Sequence, residues 1–200
     1  MTAELVSHEP ATGDEIWRRA ISDVDHEVEI GRRAWPEWAA KPLTFRTETL
    51  RRFADRVKAE AETLATLISR ETGKPLWEAR TEVESVANKV NISINAYAER
   101  TPNRRIEGAM GLRNAVRHKP HGLLAVLGPY NFPAHLPNGH IVPALIAGNS
   151  IVFKPSEKTP ATGAMLVDLF HSAGVPKEVL RLVIGGPDEG KALAGHAGID

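Results

Sequence analysis

The sequence contains no cysteine. This absence excludes disulfide bonds, thiolate metal ligands and a cysteine nucleophile among these 200 residues. An excess of charge is also lacking, because 25 lysines and arginines balance 25 aspartates and glutamates. We therefore expect no nucleic-acid-binding surface of the kind that depends on a basic excess, and no block of like charge indicates a disordered tail.

Long hydrophobic runs are missing as well. Glycine, proline and histidine interrupt the apolar segments well before they reach the length of a membrane span, so no membrane partner is expected. The first residues show no basic segment followed by an apolar core, which predicts that there is no signal peptide and that the protein is cytoplasmic. The remaining composition, 42% hydrophobic and 25% charged, is typical of a globular chain with one sizeable core.

Helical periodicity dominates residues 1–100. The sequence PATG at residues 10–13 predicts a turn. The sequence SDVD at residues 22–25 resembles a capping box and predicts a helix that runs toward Trp38. Because proline lacks the amide hydrogen that a helix interior needs, Pro36 should end or kink this helix.

Two longer amphipathic segments follow. Residues 44–70 carry apolar side chains at three- and four-residue spacing, over a length that allows two helices with a break that the pattern does not place. Gly73 and Pro75 stop this segment, and a further helix is predicted from about residue 76 to residue 100. We interpret these helices as a packing layer.

The character of the chain changes at residues 101–119. Short polar and apolar residues alternate there with glycines, which predicts an irregular hairpin or a pair of exposed strands outside the main sheet. Exposed strand edges pair with other chains unless something covers them, and a partner subunit is one possible cover.

From residue 122 onward, short apolar runs alternate with helical patterns. The runs at residues 123–127, 150–153 and 180–184 predict buried strands. Their alternation with helices predicts an α/β fold built on a doubly wound, parallel, Rossmann-like sheet. Because three strands make a narrow sheet of this type, we interpret residues 198–200 as the lead-in to a fourth strand.

Polar residues follow the first two of these strands. Asn131 lies between Pro129 and Pro133, where it either serves a tight turn or donates its amide to an oxygen that becomes negative during a reaction. Lys154 and Glu157 follow the second strand, and they are either a solvated pair at a helix start or ligands for ribose hydroxyls and phosphate. A carboxylate in that second role favours NAD over NADP.

Glycines and histidines give weaker signals. The sequence GGPDEG at residues 185–190 opens a helix after a strand, where glycines let a diphosphate approach backbone amides, although it is not the dinucleotide fingerprint. His135 and His140 are five residues apart, which is not the spacing of a helical zinc pair, so we expect no metal site. These histidines either face a substrate or are satisfied polar residues.

Taken together, motifs along the whole chain resemble the aldehyde dehydrogenase superfamily. Each motif is modest alone, but their occurrence in this order is highly specific: PATG at 10–13, ETGKP at 71–75, GPYNFP at 128–133, PALIAGN at 143–149, FKPSE at 153–157 and the glycines that end at Gly190. The sequences of residues 81–97 and 130–143 resemble one branch of this superfamily more closely still, and the enzymes of that branch oxidise a succinylated amino-acid semialdehyde in bacterial arginine catabolism.

The resemblance implies a mechanism and a set of contacts. A cysteine thiolate attacks the aldehyde, hydride passes to NAD, and a glutamate-activated water hydrolyses the thioester. The amide that holds the oxyanion falls on Asn131. The implied cofactor contacts are Leu127, Gly128, Pro129, Tyr130, Lys154, Glu157, Gly186 and Gly190. The candidates for binding the dianionic aldehyde are Lys89, His135, Asn138 and His140.

The resemblance also implies an assembly and a division of the chain. Residues 1–100 would be the helical part of the NAD-binding domain, residues 101–119 the hairpin of a homo-oligomer, and residues 120–200 the first part of the Rossmann-like sheet. The family's catalytic cysteine, its catalytic glutamate and its catalytic domain have no counterpart here. We therefore expect an incomplete aldehyde dehydrogenase fold that cannot oxidise an aldehyde by itself.

Other hypotheses share this framework. One is a short, non-catalytic module that binds a nucleotide or a partner protein, and another is a decayed product without function. A third is a different NAD(P)-dependent aldehyde dehydrogenase, although Glu157 argues against NADP.

Overall fold

The computed structural model describes residues 3–200. Within that range the strands are β1 (Glu4–His8), β2 (Glu15–Ala20), β3 (Arg104–Glu107), β4 (Arg113–Val116), β5 (Leu123–Leu127), β6 (Ser150–Lys154) and β7 (Leu180–Leu182). The helices are α1 (Val24–Ala40), α2 (Leu43–Ala59), α3 (Ala61–Thr72), α4 (Leu76–Arg100), α5 (His135–Ala147), α6 (Pro160–Ser172) and α7 (Pro187–Ala194).

The predicted parallel sheet is confirmed, with the strand order β5–β6–β7. The central strand β6 is buried along its whole length, and its side chains alternate between two apolar clusters. Ile151 and Phe153 join the large cluster formed with α2 to α6, whereas Val152 packs with Val28 of α1 on the opposite face. A strand covered on both faces needs apolar residues at every position, which explains the unbroken apolar run in the sequence.

The helical layer follows the prediction with two refinements. The segment predicted at residues 44–70 consists of α2 and α3, and the break falls at Glu60. Pro36 was expected to end or kink the first helix, and it does not end it, because α1 continues through it to Ala40. Trp38, which is 1% exposed, anchors this last turn by donating from Nε1 to the carbonyl of Leu145 at 3.0 Å.

An N-terminal hairpin is the main element that the sequence analysis missed. Strands β1 and β2 pair antiparallel around the predicted turn, and Gly13 takes a positive φ of 79° in that turn. The strands carry charged residues on exposed positions and bury little, so their apolar alternation is weak.

The second hairpin lies where the sequence predicted it. Strands β3 and β4 pair antiparallel, and every residue in both strands is exposed. The hairpin and its tip leave four large apolar side chains open to solvent: Ile106, Met110, Leu112 and Val116. The division of the chain into three parts at residues 100 and 120 stays a prediction.

The free edge of β5 is met by the last residues. The amide of Asp200 donates to the carbonyl of Leu123 at 3.0 Å, and the Asp200 carboxylate accepts from the Leu123 amide at 2.9 Å. The interpretation of residues 198–200 as the lead-in to a fourth strand stays a prediction. In the described part of the chain, no helix is long and apolar enough to cross a membrane.

Candidate functional site

The site is assembled at the carboxyl ends of β5 and β6, which is where ligands bind in open α/β sheets. The amide of Gly128 donates to the carbonyl of Lys154 at 2.8 Å, so the two strand ends are held side by side. A Cβ on Gly128 would lie 2.9 Å from the ring of Phe153, so this position needs glycine for close packing. Leu127 is 52% exposed at the same edge.

Asn131 lies in the loop between β5 and α5 with its side chain exposed. Its carbonyl accepts a hydrogen bond from Lys74 Nζ at 2.8 Å, and the same ammonium lies 4.4 Å from the ring centroid of Phe132. Among residues 3–200, no hydrogen bond engages the Asn131 amide group itself. The loop therefore presents a free donor from a fixed backbone.

A buried glutamate holds the start of α5. The N-cap residue Ala134 has no side chain that can accept a hydrogen bond, and Glu82 of α4 takes that place. Glu82 Oε1 accepts from the amides of Ala134 at 2.9 Å and His135 at 3.1 Å, and its Oε2 accepts from Lys74 Nζ at 2.9 Å. A carboxylate at a helix N-terminus satisfies amides that have no partner within the helix.

Lys154 and Glu157 occupy the end of β6 and the loop after it. Lys154 is 5% exposed, its Nζ donates to the carbonyl of Pro155 at 3.2 Å, and it lies 3.8 Å from the Glu157 carboxylate. Burial lowers the pKa of Lys154, and the carboxylates of Glu157 and Glu189 oppose that shift. These three side chains therefore form one coupled group.

The predicted glycine turn brings α7 against this group. A Cβ on Gly190 would come within 3.6 Å of the Lys154 side chain. Glu189 bends back to accept from the amide of Gly186 at 2.7 Å, and a Cβ on Gly185 would collide with it at 2.3 Å. The amide that the sequence suggested for a diphosphate is thus engaged by a carboxylate of the same helix.

A second buried glutamate holds the start of α6. Glu71, which is 3% exposed, accepts from the amides of Ala161 at 2.8 Å and Thr162 at 2.7 Å, and from the Ser7 hydroxyl at 2.7 Å. Beside it runs a groove of about 380 Å³ whose lining includes Tyr130 and Glu157. Glu71 thereby fixes the helix that follows the Glu157 loop.

Sequence reasoning missed Lys74, Glu82 and Glu71. Lys74 and Glu71 belong to the ETGKP motif, which was used for the resemblance but given no role. Glu82 carries a usable signal, because it lies on the apolar face of α4 next to Val83 and Val86. A carboxylate among buried apolar positions needs a partner.

The four candidate substrate residues are only partly brought together. Asn138 is buried, and its Nδ2 donates to the carbonyl of Val86 at 3.0 Å, so it joins α5 to α4. Lys89 of α4 reaches the same helix, since its Cε is 3.7 Å from where a Cβ on Gly139 would stand. His135 is half-buried one turn before Gly139, and His140 is exposed. No group of residues able to hold a metal ion occurs within residues 3–200.

The parallel sheet defines an open α/β protein, and the buried lysine and the carboxylate lie at the edge where ligands bind in such folds. The family model of the aldehyde dehydrogenase family matches residues 2–200, and the chain belongs to this family. The N-succinylglutamate 5-semialdehyde dehydrogenase of Sphingopyxis alaskensis is 84% identical over 200 residues, which are all of this chain and 42% of that protein.

Solved structures agree with the sequence comparison. An NADP-dependent glyceraldehyde-3-phosphate dehydrogenase from Bacillus halodurans, complexed with NADP, has a TM-score of 0.93 at 26% identity and covers 99% of this chain and 44% of its own. An NAD-dependent benzaldehyde dehydrogenase from Corynebacterium glutamicum has a TM-score of 0.90 at 28% identity, over 98% of this chain and 44% of its own. The chain spans less than half the length of these relatives.

Proposed function

We propose that these residues form the NAD-binding part of an enzyme that oxidises N-succinyl-L-glutamate 5-semialdehyde to N-succinyl-L-glutamate in arginine catabolism. The observation that carries this proposal is the 84% identity over 200 residues to the Sphingopyxis alaskensis protein of that name. The fold and the position of the polar residues at the strand ends support it.

The residues at the end of β6 fit a nicotinamide dinucleotide. The buried ammonium of Lys154, which lies 3.8 Å from the Glu157 carboxylate, would donate to ribose hydroxyls, and that carboxylate would accept from them. When bound, the dinucleotide would supply the acceptor for the hydride. The other residues that would hold it are Leu127, Gly128, Pro129 and Tyr130 at the end of β5, and Gly186 and Gly190 at the start of α7.

The same group favours NAD over NADP. Two carboxylates, Glu157 and Glu189, lie near the buried ammonium of Lys154, whereas the ammonium of Lys158 lies over the ring of Tyr130. A 2′-phosphate placed next to the two carboxylates would be repelled by them. The carboxylates therefore favour NAD as the cofactor, whereas the solved structures of similar fold include an enzyme described as NADP-dependent.

Asn131 takes the place of the oxyanion donor. Its amide is exposed on a loop whose backbone is held by Lys74, so little reorganisation is needed when charge develops on the substrate oxygen. The nucleophile of the family mechanism is a cysteine, and these residues contain none. Asn131 can therefore stabilise an oxyanion only together with a segment that supplies the cysteine thiolate.

The dianionic substrate requires positive charge near α5. Lys89 is our first candidate, because it lies along Gly139 with its ammonium beyond the small residue. His135 and His140 on the same helix are secondary candidates, and Asn138 acts by joining α4 to α5. We further propose that a homo-oligomer forms through residues 101–119, whose exposed apolar side chains need a cover.

The experiment is a chimera in which these 200 residues replace the matching part of the Sphingopyxis alaskensis protein. We expect NADH formation with N-succinylglutamate semialdehyde, and at least about tenfold lower kcat/KM with a semialdehyde that lacks the succinyl carboxylate. The control is the 200-residue chain alone, which should bind NAD without forming NADH. A folded chimera that binds NAD but leaves the semialdehyde unchanged would refute the proposal.

One other function is a non-catalytic nucleotide-binding or interaction module. The same chimera distinguishes the two. Such a module would bind NAD in the 200-residue chain and would give no turnover when joined to the Sphingopyxis segment.

A further inference from the structure

Lys74 and Glu82 form an ion pair that lies almost entirely out of solvent. Their side chains are 10% and 0% exposed, and the distance from Nζ to Oε2 is 2.9 Å. Removing two charges from water is costly, and a buried pair of this kind is weak evidence for a stabilising role. Its position next to the proposed oxyanion donor points to a different use.

The pair holds the loop of Asn131 at both ends. Lys74 donates to the carbonyl of Asn131 at 2.8 Å and lies over the ring of Phe132. Glu82 accepts from the amides of Ala134 and His135. The loop is thus held on either side of Pro133, and the hydrogen bond to the Asn131 carbonyl fixes the backbone from which the side chain of Asn131 projects.

We propose that Lys74 and Glu82 are positioning residues for the amide of Asn131. Two of the three ammonium hydrogens of Lys74 are already engaged by Glu82 and by the Asn131 carbonyl, so it acts through the loop rather than on the substrate. This inference rests on the proposed function, in which Asn131 donates to the oxyanion. Catalysis is sensitive to such placement, since a misplacement of about 1 Å reduces rates by about a hundredfold.

The test is a double-mutant cycle in the chimera with the Sphingopyxis segment. Asn131→Ala should lower kcat by about 10²–10³. Lys74→Met keeps an unbranched side chain that is one atom shorter and removes its charge, and we expect kcat to fall by about tenfold or more while the KM for NAD changes by less than about twofold. In the Asn131→Ala background, Lys74→Met should change kcat by less than about twofold.

The matched control is Arg80→Met, which breaks the exposed ion pair with Glu62 on the far side of α4 and should leave kcat unchanged. If Lys74→Met does not yield folded protein, Glu82→Gln enters the cycle in its place, because it keeps the size of the side chain. An equal fall of kcat in both backgrounds overturns the positioning role, since a structural defect acts whether or not Asn131 is present. No effect of Asn131→Ala alone overturns the proposed function instead.

Discussion

Glu71→Leu should destabilise the chain strongly, although Glu71 touches no candidate ligand. The substitution leaves the amides of Ala161 and Thr162 buried without an acceptor, while the Ser7 hydroxyl can rotate elsewhere. Each stranded amide costs about 1–3 kcal/mol, so the free energy of unfolding should fall by about 4 kcal/mol. That is a large share of a typical domain stability of about 5–15 kcal/mol.

Glu71→Gln gives a graded test of the same reasoning. It keeps one acceptor oxygen and turns an NH₂ group toward the second amide, so we expect a loss of about 2 kcal/mol. The matched control is Glu48→Leu, an exposed glutamate on α2, which should stay within about 0.5 kcal/mol.

The assay is urea unfolding followed by the intrinsic fluorescence of the four tryptophans, of which Trp38 is buried, and by far-ultraviolet circular dichroism. The midpoint should shift in the order Glu48→Leu, Glu71→Gln, Glu71→Leu, with an unchanged slope. In a thermal scan the Leu variant should melt about 8–16 °C lower. A loss below about 1 kcal/mol for Glu71→Leu would show that α6 does not depend on this carboxylate.

Three further predictions follow from the site and its surroundings. Glu157→Gln combined with Glu189→Gln should raise the affinity for NADP relative to NAD by about tenfold, measured by calorimetry, and an unchanged ratio would contradict the charge argument. Gly163→Ala places a Cβ 2.4 Å from Pro155, so it should destabilise the folded chain by about 1–3 kcal/mol and weaken NAD binding. Gly139→Ala, whose new Cβ has its nearest contact at 3.7 Å, is the control for stability. Burial lowers the pKa of His171 from its usual 6.5, and the charges of Lys177 and Arg181 lower it further. The hydrogen bond to the Leu180 carbonyl and the charge of Asp168 oppose this shift. The contribution of neutral His171 to the free energy of unfolding is complete above pH 6.5. It is lost as the pH falls from 6.5 toward the pKa of His171 in the folded state, because the unfolded chain takes up the proton first. His171→Gln should therefore flatten the loss of stability below pH 6.5, whereas Ser172→Ala should shift the urea midpoint equally at every pH.

The parts of the fold that were predictable are those whose signal is local. The unbroken apolar run of β6 follows from burial on both faces, and the motif at residues 128–133 begins where β5 ends. The parallel pairing of β5 with β6 then brings Lys154 next to Gly128. Pro36 does not end α1, because tertiary packing, including the contact of Trp38 with Leu145, holds the last turn of that helix.

The two buried glutamates were not predictable in the same way. Glu82 meets its amide partners across 52 residues, and Glu71 across 90. A glutamate in an amphipathic helix is normally solvated, and only the packing of α3 against α6 and of α4 against α5 turns these two inward. The helices interpreted as a packing layer therefore also fix the loops that carry Asn131 and Glu157.

The three helices that follow the sheet strands share a further electrostatic property. The first amides of α5 donate to Glu82, those of α6 to Glu71, and the amide of Gly186 before α7 to Glu189. Helix N-termini at this edge are the usual anion sites of α/β proteins, but in this chain internal carboxylates engage them. A dinucleotide diphosphate would either compete with Glu189 or lie away from these amides. The positive charges at the end of β6 and in the loop after it are then the buried ammonium of Lys154 and that of Lys158 over Tyr130, which gives these lysines more weight in binding than the glycine turn.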